Sequence, residues 1–176
     1  MISNERKVGL IPRLFVQGKW GPKEYALLVT DKRSILVLEK ESKAGIGGAL
    51  GGAAGALIAG AAAKSRSFDY AQADPQSLAI DSKNLTISHE SLQGIRMKKR
   101  FIGPVYWLEF LYQTDQGKGK KLKGQLIPPG VHLKQRKQEG AGRKQIHYDY
   151  AKKVQDVYQN ALSPPRFQSV MAGASL

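Results

Sequence analysis

The sequence contains no cysteine. That excludes disulfides, thiolate zinc sites and cysteine nucleophiles, and it agrees with a reducing compartment. Acidic residues are scarce as well: 14 Asp and Glu stand against 28 Lys and Arg in 176 residues, a formal net charge of +14. Histidine occurs three times, at His89, His132 and His147, with no partner at metal-ligand spacing. No serine lies in a G-x-S-x-G elbow. His147 is two residues from Asp149, a carboxylate read here as the cap of a helix. No catalytic residue, metal site or cofactor is therefore expected, and the chain does not read as an enzyme. No uninterrupted apolar core precedes Lys19, so a secretory signal is not expected and the chain reads as cytoplasmic.

One long segment lacks polar side chains altogether. Residues 44–63, AGIGGALGGAAGALIAGAAA, hold seven Gly, nine Ala, two Leu and two Ile, with Lys40 and Lys43 before them and Lys64 and Arg66 after. Gly47, Gly51 and Gly55 recur every four residues, which on a helix would align a face open to close backbone approach. Twenty residues match the thickness of a bilayer core, but interior glycines each cost a helix roughly 1 kcal/mol in water. A stable helix there needs lipid or a partner. Gly47, Leu50, Gly51, Gly55, Leu57 and Ile58 are the candidate membrane-inserting residues, and the glycine face is a candidate contact for a homo-oligomer. A linker in solution is the bland alternative. A phosphate-binding loop is excluded, because Ile58 and Ala63 occupy the two glycine positions that Lys64-Ser65 would require.

The positive charge is concentrated in the second half. From Arg96 to Lys144 there are thirteen Lys and Arg against Glu109, Asp115 and Glu139. Such a field implies an anionic partner. The candidate anion-binding residues are Arg96, Lys98, Lys99, Arg100, Lys118, Lys120, Lys121 and Lys123, with Lys134, Arg136 and Lys137 as an extension. Nucleic acid is the rival ligand, since Arg96 to Arg100 precede Phe101 and lie near Tyr106 and Trp107, which offer stacking surfaces.

Short strand patterns dominate both sides of the Gly/Ala tract. Val8, Leu10, Leu14 and Val16 approximate one alternating face, broken at Pro12. Tyr25 to Val29, the turn Thr30-Asp31-Lys32-Arg33 and Ile35 to Leu38 read as a β-hairpin. Further strands are expected at 78–80, 85–87, 92–99, 105–113 and 121–127. In the 105–113 strand, Tyr106, Leu108, Phe110 and Tyr112 share the face that should enter the core. Residues 128–147 read as a basic loop. A helix is expected over Tyr150 to Leu162, begun by Asp149 and stopped by Ser163-Pro164-Pro165, with 163–176 as a flexible tail.

This order, with Tyr25-Ala26-Leu27-Leu28-Val29-Thr30-Asp31-Lys32-Arg33-Ser34-Ile35-Leu36-Val37 followed by Leu85-Thr86-Ile87 and Leu92 to Lys99, resembles the pleckstrin-homology-like (PH-like) superfold, in particular GRAM-type and prokaryotic PH-like domains. The resemblance covers residues 7–162 apart from the Gly/Ala insertion and the basic loop. It implies a mainly β (α+β) fold: an antiparallel barrel of about seven strands capped by a C-terminal helix, with the 44–63 segment inserted as a helix or hairpin. It also implies a binding module for phospholipid or peptide. Since both ends of the insertion belong to one barrel, they must lie on one side of a membrane. The combined expectation is a non-catalytic PH-like module, cytoplasmic and peripheral, bound to anionic phospholipid membrane by basic side chains and the Gly/Ala insertion. The alternatives are a nucleic-acid-binding domain and a scaffold that self-associates through its glycine face.

Overall fold

The computed structural model describes residues 5–18, 21–41, 64–174 and 176. The candidate inserting residues Gly47, Leu50, Gly51, Gly55, Leu57 and Ile58 lie outside the described residues. The fold is mainly β. In chain order the elements are β1 (Lys7–Gly18), β2 (Gly21–Thr30), β3 (Arg33–Glu41), β4 (Lys64–Ser65), α1 (Pro75–Ile80), β5 (Leu85–Ser88), β6 (Leu92–Lys99), β7 (Tyr106–Gln113), β8 (Gly119–Leu126), α2 (Gly130–Gln138), α3 (Arg143–Ala161) and α4 (Pro164–Met171).

All pairings are antiparallel, in the order β4-β3-β2-β1-β8-β7-β6, with β5 also on β3. The expected antiparallel sheet is present, but its ladder does not close into a full barrel. Its ends, β5 and β6, are joined by His89, Glu90 and Ser91, yet one pairs with β3 and the other with β7. Helix α4 covers this open seam. Its Arg166 donates to the backbone carbonyls of His89 at 3.0 Å, Glu90 at 3.2 Å and Leu92, while Val170 and Met171 are buried in the core. A strand edge that would otherwise expose unpaired carbonyls is thereby covered.

The main core lies between the inner face of the sheet and α3. Leu27, Val29 and Leu36 from the first half meet Ile95, Met97, Leu108 and Phe110 from the second, with Tyr150, Val154 and Tyr158 of α3. The predicted core face of β7 is correct: Tyr106, Leu108, Phe110 and Tyr112 are all buried. Helix α3 comes so close to β1 that a Cβ at Gly9 would stand 2.6 Å from Val157 Cγ2. A smaller cluster on the opposite face of β2 and β3 joins Leu28, Ile35 and Val37 to Leu78 of α1, with Leu10, Phe68 and Tyr70 packed alongside.

Several expectations are corrected. The alternation across β1 breaks in phase: the register shifts between Ile11 and Leu14, where Arg13 adopts φ 61°. Such a bulge moves the following residues to the other face. Leu10 therefore joins the small cluster, whereas Ile11 and Leu14 both enter the main core. The strand expected at 78–80 is part of α1, whose start is set by Asp74 accepting from the Ser77 N–H at 2.9 Å and by Pro75 in the first turn. The basic loop at 128–147 contains α2 and the start of α3. Asp149 is inside α3, not at its cap, and binds Arg136 of α2 and Gln145. The expected flexible tail holds α4, in which the two prolines begin a helix instead of only ending one.

Candidate functional site

Strand pairing settles which basic residues come together. Across β6, β7 and β8 the register aligns Arg96 with Glu109 and Lys123, Lys98 with Trp107 and Gln125, and Gly94 with Leu111 and Lys121. Since alternate residues share a face, these rows form the side of the sheet opposite the core. Arg96, Lys98, Lys121 and Lys123 are exposed on it. Glu109, 9% exposed, is the carboxylate in their midst, with its Oε1 3.3 Å from Lys123 Nζ. The same ammonium stands 4.5 Å from the centre of the Trp107 ring. The face thus presents several cations, one partly compensated, around a half-buried indole.

The other four candidates are not part of this cluster. Lys99 and Arg100 lie at the β6–β7 hairpin, and Lys118 and Lys120 at the β7–β8 turn. Strands of this length, at about 3.4 Å per residue, separate those two ends by roughly 24 Å. In the extension, Lys134 and Lys137 are exposed on α2, but Arg136 is held by Glu139 and Asp149, both at 2.7 Å.

Sequence reasoning weighed Phe101 as a stacking surface and passed over Ile102. At the tip of the β6–β7 hairpin they are 101% and 74% exposed. The hairpin is closed by the Arg100 N–H on the Val105 carbonyl at 2.8 Å, and Gly103 takes φ +91°. The signal in the sequence is two bulky apolar residues directly before Gly103-Pro104, a turn pair that leaves nowhere to bury them.

The Thr30-Asp31-Lys32-Arg33 turn is engaged in the fold itself. Thr30 Oγ1 accepts from the N–H groups of Lys32 and Arg33 at 3.1 and 3.0 Å and lies 2.7 Å from Glu5 Oε1. Burial works to raise the Glu5 pKa, but bonds from Arg33 and Thr30 outweigh it and hold the carboxyl below its ordinary value. Beside this turn, Asp31, Lys32, Arg33, Thr86, Ser88, His89 and Glu90 line an open depression of about 420 Å³. Its polar groups are largely committed: Arg33 to Glu5 and Gln76, Asp31 to the Arg6 N–H, Ser88 to the Glu90 N–H.

A buried polar trio crosses the seam nearby. Ser34 Oγ lies 2.6 Å from the Tyr158 hydroxyl and 3.3 Å from His89 Nε2. Desolvation pushes the His89 pKa down to about 4 and the Tyr158 pKa up. Neutral His89 and neutral Tyr158 suit this enclosed position, where burial opposes either charge.

The ends of the Gly/Ala segment are also located. Lys40 pairs with Ser65 and Glu41 with Lys64, so residues 42–63 leave and re-enter the sheet on neighbouring strands, about 5 Å apart. Among the described residues no helix is long and apolar enough to cross a membrane, and no three His, Asp or Glu side chains gather as a metal set. No protein-family model matches the chain, and no curated protein matches it.

Proposed function

We propose that this chain is a PH-like module, cytoplasmic and non-catalytic, that docks peripherally on anionic phospholipid membranes. The observation that carries the reading is the outer face of β6–β8, where Arg96, Lys98, Lys121 and Lys123 surround Trp107 with Glu109 as the carboxylate between them. A broad cationic face suits an array of lipid headgroups better than one small anion, and an indole is well placed at a headgroup boundary. The PH-like assignment is supported by the order of elements: a three-strand meander, an insertion, a second meander returning to β1, and a helix across the core.

The Gly/Ala residues Gly47, Leu50, Gly51, Gly55, Leu57 and Ile58 add apolar burial in this reading. The neighbouring ends of the segment favour a returning insertion, because one crossing of the bilayer would carry Glu41 and Lys64 to opposite sides. The test is flotation with phosphatidylcholine vesicles, with and without phosphatidylserine, of the intact chain and of a chain in which a short Gly/Ser turn replaces residues 44–63. The intact chain floats with the anionic vesicles, and the shortened chain floats less. Salt-sensitive retention of single-stranded RNA without any flotation transfers the basic face to nucleic acid instead.

A further inference from the structure

The outer basic face accounts for charge recognition, but not for the most exposed apolar side chains of the second meander. Phe101 is 101% exposed and Ile102 74%, and no atom comes within 4 Å of a Cβ placed on the neighbouring Gly103. The tip therefore projects from the protein. Lys98, Lys99 and Arg100 precede it, and residues 97–108 contain neither Asp nor Glu. At the same end of the sheet, Leu126 pairs with Tyr106 and the chain passes through residues 127–129 into α2. That helix begins with Val131, 79% exposed, and carries exposed Lys134 and Lys137. Apolar tips and cations thus recur together on two separate elements at one end of the molecule.

Resting on the membrane reading above, we infer that the β6–β7 hairpin tip is the element that enters the bilayer, with Phe101 and Ile102 below the headgroups and Lys98, Lys99 and Arg100 at phosphate level. Its layering matches a bilayer interface, where anionic phosphate lies directly outside apolar acyl chain. A nucleic-acid strand would stack on Phe101 but leave Ile102 in water. A protein groove would need an apolar floor and a carboxylate rim at the same depth. With the outer face of β6–β8 turned toward the surface, the hairpin lies along its border.

The absence of cysteine allows a direct test in the intact chain. Phe101→Cys and Ile102→Cys, each labelled with an environment-sensitive fluorophore, are titrated with phosphatidylcholine vesicles containing phosphatidylserine. Ser82→Cys, exposed just after α1 on the other half of the sheet, is the control. Both tip probes shift to the blue and are quenched by spin-labelled lipid, while the Ser82 probe does neither. The Phe101→Ser/Ile102→Ser double variant keeps its circular dichroism and loses tenfold or more in vesicle affinity. If the intact chain floats but the tip probes stay in water, the inference is overturned and the membrane reading stands. Failure of the intact chain to float overturns both. Tip probes that respond to RNA or to a protein, but not to vesicles, overturn the inference as well.

Discussion

Replacing Glu109 with Gln tests whether the basic face acts as a distributed surface or as a shaped pocket. Glu109 lies in register between Arg96 and Lys123 and binds Lys123 at 3.3 Å. In a pocket built for one headgroup this carboxylate would orient Lys123, and its loss would weaken binding. On a surface sensed by its summed field, removing one negative charge within a Debye length of anionic lipid contributes about 1 kcal/mol, roughly fivefold tighter binding. The cost to the fold is small, since a partly exposed ion pair contributes ~0–1 kcal/mol and an enclosed carboxylate loses its desolvation penalty when it becomes an amide. The assay is titration with phosphatidylserine vesicles at low and high salt. Glu109→Gln binds about fivefold more tightly and Lys121→Gln about fivefold more weakly, and both differences collapse near 1 M salt, where the Debye length is about 3 Å. Weaker binding by Glu109→Gln would refute the distributed-surface argument.

Two further predictions concern the seam between β5 and β6. Arg166→Ala removes the cation shared by the carbonyls of His89, Glu90 and Leu92, so it should cost about 1–3 kcal/mol and speed amide exchange around 89–92; an unchanged Tm would show that α4 does not hold the seam. His89 has its pKa lowered by burial from 6.5 to about 4, so the unfolded chain binds its proton first. Stability then falls as pH drops from about 6.5 to about 4, by up to about 3 kcal/mol from this group, and His89→Gln flattens that slope in acid-unfolding curves. An equal slope in the variant would assign the acid sensitivity to other groups, such as His147, whose pKa burial also lowers.

The first hairpin was legible because its turn residues and apolar runs agree, and the core face of β7 because its alternation is uninterrupted over eight residues. What the sequence hid has local causes. The bulge at Pro12-Arg13 inverts the phase of β1, which no alternation rule reveals. Helix α2 buries no residue, so it has no apolar stripe to find, and it is held instead by Arg136 on Asp149. Pro164 and Pro165 end one helix and open the next, a double role in which only the stop was read. The basic site was found in composition but not in geometry. Lys98 and Lys99 adjoin in sequence, yet strand parity gives them different rows, while Arg96 and Lys123 are brought together by pairing alone.

The central claim is that this chain recognises anionic bilayer, and the most direct measurement is binding of the intact protein to phosphatidylcholine vesicles as phosphatidylserine is added. Binding that rises steeply with phosphatidylserine and falls with salt is the predicted result. Identical recovery with neutral and anionic vesicles at low salt would contradict it.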